Sequence, residues 1–255
     1  MAGVPTTDKA LAVLHLFSEE EPQWSVEAAA ERLGLPSSTV YRYFRSLAGA
    51  GLIVAFGAGR YVIGPGVIEL DRMARRTDPL ILAAQGTMDR LSGSAPPDHF
   101  VLLSRLYHRQ VMCVDDRRQG RPFVKVSYER GRPMPLYTGS VSKVILANLS
   151  ARTLARYFSK DAEEIEAAGL PAQFDEFRKE LRKIRRAGFC ISWGEVDPGV
   201  IGISAPILSS DEDALASVTL VLADEPGNSR CPSTFAPSIM DAAREISEIF
   251  QKSMS

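Results

Sequence analysis

Two amphipathic helical patterns separated by Gly34-Leu35-Pro36 constrain this chain more than any other feature. Val26, Ala29, Ala30 and Leu33 stand at i, i+3, i+4 and i+7, the spacing of one buried helical face. Gly34 tolerates left-handed backbone angles, and Leu35, preceding Pro36, resists the helical region, so the first helix stops there. A second starts at once, with Ser37 or Ser38 available as its cap, and Val40, Tyr43, Phe44 and Leu47 repeat the spacing. At about 100° per residue, Ser38, Arg42 and Arg45 fall opposite that apolar stripe, with Thr39, Tyr41 and Ser46 on its flanks.

Two such helices joined by a short Gly-containing turn place the second where it can enter a major groove by its N-terminus. Ser37, Ser38, Thr39, Tyr41 and Arg42 are then the candidates for base or phosphate contact, and Arg45 for the DNA backbone. The run LIVAFGAGRYVI that follows reads as two short strands around a Gly57-Gly59 turn, a β-wing with Arg60 at its tip. Net charge over the whole chain is −1, yet between Glu31 and Glu69 there are four Arg and no acid. Phosphate binding requires such a local positive surface. An earlier helix, Asp8 to Phe17, capped from Thr6 to Asp8 and turning Ala10, Val13, Leu14 and Phe17 inward, completes a three-helix core.

Other chemistries find little support. GxxxxGK[ST], GxSxG and HExxH are all absent, and GAGRYVIGPG follows a wing strand without dinucleotide-fingerprint spacing. No catalytic residue and no cofactor is therefore assigned. Cys113, Cys190 and Cys231 are far apart and match no metal-ligand spacing even with His15, His99 and His108, so they are expected to be core thiols and no metal site is assigned. No apolar run approaches ~18 residues and MAGVPTTDKA lacks a signal-peptide plan, so a cytoplasmic protein with no membrane partner is expected.

After Gly64-Pro65-Gly66, a short connecting helix from Val67 to Arg75 leads to Asp78-Pro79. The expected organisation is a winged helix-turn-helix over 1–64, a linker over 65–78 and a second domain over 79–255. In that domain a helix from Pro79 to about Leu91 precedes three strands, HFVLLSRLYH, QVMCVDDR and FVKVSYER. Helices follow over Ser140–Leu149, Ala151–Phe158 and Gln173–Ala187, then the strands FCISWG, GVIGISAPI and ALASVTLVLA, and a closing helix from Pro237 to Phe250. The order predicts an antiparallel α/β sheet flanked by helices, an α+β protein overall. The helix at 173–187 carries six basic residues offset by Asp175, Glu176 and Glu180, and reads as a solvated face.

With these segments in view the chain resembles the IclR family of bacterial transcriptional regulators over nearly its full length. KALAVLHLF, STVYRYFRSLAGAGLI and the wing leading into YVIGPGVIEL look like the family's winged helix and linker. RPMPLYTGSVSKVILANL and RRAGFCISWGEVDPGVIGISAPIL are similar to its two C-terminal signatures. The resemblance implies a GAF-like effector-binding domain, homodimers commonly pairing into homotetramers, and operator binding altered by a small-molecule effector, often a carboxylic or aromatic acid.

The residues give that pocket a physical basis. Thr138, Gly139, Ser140, Val141 and Ser142 open a helix whose unpaired N–H groups and positive dipole end can hold a carboxylate; an ordinary cap at Ser140 is the plainer alternative. Family members often place an acid soon after the Gly-aromatic pair, whereas this chain has Ser192-Trp193, with Glu195 slightly later. Ser192, Glu195, Ser204 and Thr219 can supply hydrogen bonds from the opposite wall, and Gly202 leaves room beside its strand. Lys143 is a structural or pocket-edge cation, and Trp193 either lines the pocket or packs at its mouth. The expectation is a regulator of a double-stranded DNA operator. Its alternatives are an enzyme carrying a winged-helix appendage and a DNA-binding scaffold without a ligand.

Overall fold

The computed structural model describes residues 5–120, 126–209, 214–225 and 232–254, divided into two compact units, residues 1–76 and 77–255. The division falls at the end of the helix that follows the wing.

In the first unit α1 (Pro5–Ala12) gives way to a 3-10 turn at Leu14–Leu16. The expected helix thus starts before Asp8, so Thr6 to Asp8 lie inside its first turns, and it stops short of Phe17. At the end of the 3-10 turn the Leu16 carbonyl accepts from the buried Trp24 indole Nε1 at 2.9 Å. Trp24 opens a two-residue strand, β1 (Trp24–Ser25), too short to leave a sequence period. Ser25 then caps α2 (Val26–Leu33), its Oγ accepting from the Ala28 N–H at 3.2 Å, and Gly34 closes α2 in the left-handed region at φ 64°.

The next helix, α3 (Ser37–Gly49), is capped by Pro36, and neither Ser37 nor Ser38 serves as cap; both are helical. A proline has no side-chain acceptor, so the first-turn N–H groups of α3 receive no cap from its side chain. Strands β2 (Ile53–Ala55) and β3 (Arg60–Ile63) form the wing, with β1 pairing on the far side of β3. The core of this unit is Val13, Trp24, Val26, Ala29, Ala30, Val40, Phe44, Leu47 and Ile53, with Tyr61 of the wing edge-on to Phe44 at 4.9 Å. Gly64 and Gly66 turn the chain from the wing into α4 (Gly66–Thr77) against Gly51: a Cβ on Gly64 would meet the Gly51 carbonyl at 2.3 Å, so no side chain fits.

The second unit begins with α5 (Pro79–Ser94), capped by the Asp78 carboxylate, which accepts from the Leu80 and Ile81 N–H groups at 2.9 and 3.3 Å. Six antiparallel strands follow in the sheet order β6-β5-β4-β9-β8-β7. They are β4 (His99–Tyr107), β5 (Gln110–Gln119), β6 (Pro133–Pro135), β7 (Cys190–Trp193), β8 (Val200–Leu208) and β9 (Ala214–Ala223).

One expected strand is corrected. Of FVKVSYER, Phe123 to Lys125 lie outside the described residues, and from Val126 to Arg130 there is only a single bridge to Cys113. The pairing strand is instead β6, whose prolines are tolerated at a sheet edge. The 126–130 segment is drawn off the sheet because Asp197 accepts from both the Ser127 N–H at 2.7 Å and its hydroxyl at 2.5 Å.

Between β6 and β7 run α6 (Gly139–Ala147), α7 (Ala151–Phe158), α8 (Ala162–Ala167), which the sequence reading passed over, and α9 (Phe174–Ala187); α10 (Ala236–Met254) closes the chain. Alternation along the strands splits the apolar residues between two layers. Val101, Leu103, Ile203, Val218 and Leu220 meet α5 and α10, while Phe100, Leu102, Val111 and Val221 share the other layer with α6, α7 and α9.

Candidate functional site

On α3 the buried residues are Val40, Phe44 and Leu47, so the opposite face is committed to solvent. Ser37, Ser38, Tyr41, Arg42 and Arg45 are exposed there and Thr39 is half-buried. The exposure of Tyr41, 54%, is high for an aromatic side chain and unexplained by packing within this unit. Arg60 is exposed too, but it is the first residue of β3 rather than the wing tip. The tip is Gly57-Ala58-Gly59, all at positive φ, and the Arg60 carbonyl and N–H pair with Phe56 and Gly57.

In the second unit the N-terminus of α6 faces β7, β8 and β9 across a small cavity of about 30 Å³. Gly139, Ser140, Val141, Ser192, Glu195, Gly202 and Thr219 line it, seven of the residues singled out from the sequence. Ser204 lies behind this wall, Ser142 turns away to donate to the Pro135 carbonyl at 2.7 Å, and Thr138 is the residue before the helix. Trp193 does not line it and is half exposed. The close fit explains Gly202, since a Cβ there would lie 2.6 Å from the Ser140 Oγ.

A directed relay of hydroxyls crosses this wall. Ser204 donates to Ser140 at 2.9 Å and so must accept from Thr219 at 2.8 Å, all three being fully or almost fully buried. The Ser140 backbone N–H in turn donates to the Ser192 Oγ at 3.0 Å. These contacts leave the hydroxyl hydrogens of Ser140 and Ser192 unspent, and both side chains border the cavity. The wall therefore offers donors, which suit a ligand rich in acceptors.

The α6 N-terminus is already engaged by this chain. A Glu195 carboxylate oxygen accepts from the Gly139 N–H at 3.0 Å and from Lys143 Nζ at 2.6 Å, so Lys143, which does not itself line the cavity, stands at its edge paired with a lining carboxylate. Gly139 adopts φ +81°, and a Cβ there would press on Val196 at 3.0 Å. The sequence reading missed Val126, Tyr128, Val196, Asp197, Val200 and Val221. Tyr128 was hidden by its assignment to a strand; its hydroxyl meets Ser142 at 3.1 Å, and burial pushes its ionisation well above the ordinary tyrosine range.

Burial, with Asp116 and Asp115 adding to it, pushes the Cys113 thiol up to about 12, and burial with Glu195 pushes Cys190 to about 11 against the opposing Lys143. Both stay protonated near neutrality, as core thiols do. Cys231 lies outside the described residues. Among the described residues no group of three His, Cys, Asp or Glu could hold a metal ion, and no helix is long and apolar enough to cross a membrane.

Comparison with known proteins decides what these two surfaces belong to. The family model described as the IclR helix-turn-helix domain matches residues 6–55, and that of the bacterial transcriptional regulator IclR C-terminal domain matches residues 74–248. The chain belongs to the IclR family of bacterial transcriptional regulators.

Like other IclR-family members it joins a DNA-binding helix-turn-helix to an effector-binding C-terminal domain, and it is a regulator rather than an enzyme. It is 20% identical over 239 residues to the Pca regulon regulatory protein of Pseudomonas putida, covering 93% of this chain and 81% of that one. An IclR transcriptional regulator from Alicyclobacillus acidocaldarius has the same fold, with a TM-score of 0.76 at 20% identity over 97% of this chain and 99% of that one. So does an IclR homologue from Microbacterium hydrocarbonoxydans solved with 4-hydroxybenzoate, with a TM-score of 0.73 at 20% identity and the same coverage.

Proposed function

We propose that this IclR-family regulator reads its operator with Ser37, Ser38, Thr39, Tyr41 and Arg42 of α3 in the major groove, with Arg45 and Arg60 on phosphates. Exposure of a hydroxylic and cationic face opposite Val40, Phe44 and Leu47 supports that assignment. It works in the cytoplasm as a homodimer, or as a homotetramer built from dimers. α4 has no buried residue while Val67, Ile68, Leu70 and Met73 are exposed, an apolar surface that favours a second copy. Two recognition helices then lie about 34 Å apart on a near-palindromic site. Residues 65–78 carry the change in their spacing.

The effector is a small carboxylic or aromatic acid bound in the cavity lined by Gly139, Ser140, Val141, Ser192, Gly202 and Thr219, with Ser204 behind its wall and Glu195 on the donors that the acid would use. One observation carries this reading: Gly139 N–H and Lys143 Nζ already converge on a carboxylate oxygen, beside the unspent hydroxyl hydrogens of Ser140 and Ser192. The 4-hydroxybenzoate complexed with the Microbacterium homologue is an acid of this class. An acid that prefers one arrangement of the dimer shifts it, and one that binds both equally shifts nothing.

The test is a thermal-shift screen of carboxylic acids, followed by operator titration with each acid that raises the melting temperature. At least one such acid is expected to change operator affinity. Stabilisation by acids with no change in operator affinity at saturation would remove the regulatory reading and leave a bystander site.

A further inference from the structure

The cavity at the α6 N-terminus has about 30 Å³ of free space, whereas small-molecule pockets run to about 300–1,000 Å³. No ring fits until something moves. The wall with the means to move is the β7–β8 turn, residues 194–199, bracketed by Gly194 at φ +58° and Gly199 at φ +77°. Side-chain contacts hold it down. Glu195 joins Gly139 N–H and Lys143, Asp197 joins the N–H and hydroxyl of Ser127, and Val196 fills the space between, against Gly139.

Resting on the effector reading above, we propose that this turn is a strap over the cavity and that Glu195 occupies the seat of the effector's carboxylate. An effector enters by exchanging its carboxylate for that of Glu195 and lifting the strap. The exchange is balanced chemically: one anion replaces another on the same two donors, so neither the Gly139 N–H nor the ammonium of Lys143 is stranded. The Lys143 side chain is only 15% exposed, and releasing Glu195 without a replacement would leave a largely buried cation unpaired. The Glu195 side chain is 32% exposed and rehydrates readily when released. A neutral ligand cannot take its place. Glu195 is therefore a specificity-determining residue: it holds the strap shut to neutral molecules and sets a threshold that an acid must overcome.

Acetate, the smallest probe of the seat, tests this without knowledge of the natural effector. Wild type, Glu195→Ala, Glu195→Gln and the double variant Glu195→Ala/Lys143→Ala are titrated with sodium acetate at constant ionic strength, with sodium chloride and acetamide as controls. Binding is read from the melting temperature of the full-length protein. Glu195→Ala is expected to bind acetate with a Kd at least about tenfold below that of wild type. Acetamide should have no effect, and the double variant should lose the gain. Equal acetate responses in wild type and Glu195→Ala would show a seat open without displacement of Glu195, and no response in either would show that the vacated seat takes no carboxylate. Either result overturns the strap while leaving the effector reading to the acid screen.

A second measurement needs no variant. In wild-type hydrogen exchange, the Gly139 amide and the 194–199 segment should exchange through a local opening well before the β8–β9 core. Gly139 exchanging only with global unfolding contradicts a movable strap.

Discussion

The two candidate surfaces of this regulator are built in opposite ways. On α3 the apolar residues Val40, Phe44 and Leu47 point inward and the DNA-reading candidates point out, so one helix separates what folds it from what it does. At the α6 cavity there is no such division. Ser140, Ser204 and Thr219 form one buried hydrogen-bonded network between α6 and the sheet, and the cavity proposed for the effector is walled by that same network. Surface function tolerates substitution with little change in stability, whereas function embedded in a buried network does not.

The largest expected effect breaks the first unit through its core. Phe44→Ala removes a fully buried ring packed edge-on against Tyr61, and should destabilise the winged helix by about 3–5 kcal/mol. Calorimetry should show the second unit melting as before while operator binding is lost. A matching fall in both units contradicts their independence.

Gly202→Ala applies the same logic to the cavity, where the new Cβ would sit 2.6 Å from the Ser140 Oγ. Overpacking there should lower the stability of the second unit by about 1–3 kcal/mol and close the cavity to acids, with the first unit unchanged. Unchanged acid binding by this variant would place the ligand elsewhere.

Ser25→Ala removes the cap of α2 and should lower the stability of the first unit by about 1 kcal/mol, seen as a shifted denaturation midpoint at constant slope. The smallest effect sharpens the contrast between two cationic faces. Arg182→Ala on the exposed face of α9 should change stability by no more than about 0.5 kcal/mol and leave operator affinity unaltered. A lower salt slope in that variant would make α9 part of the DNA-binding surface.

The contrast also explains what the sequence could reveal. Apolar spacing determines a helix face, so α2, the turn at Gly34-Leu35-Pro36 and the outward residues of α3 were all legible. The two-residue β1 has no period to read, and the role of Pro36 as cap was masked by two adjacent serines that look like better ones. In the second unit the sheet strands were visible as β-branched runs, except where Asp197 draws Ser127 away and β6 takes the edge with two prolines. The cavity's central feature was out of reach in a different sense. Glu195 was visible as a hydrogen-bonding residue, but its pairing with Gly139 and Lys143 spans more than fifty positions and carries no local pattern.

The most direct measurement is the operator titration of Arg42→Ala beside wild type, with thermal melts of the same samples. If the outward face of α3 reads DNA while contributing nothing to the core, affinity falls by about 1–3 kcal/mol and the melts superimpose. Unchanged operator affinity in a fully folded variant would contradict it and remove Arg42 from the reading face.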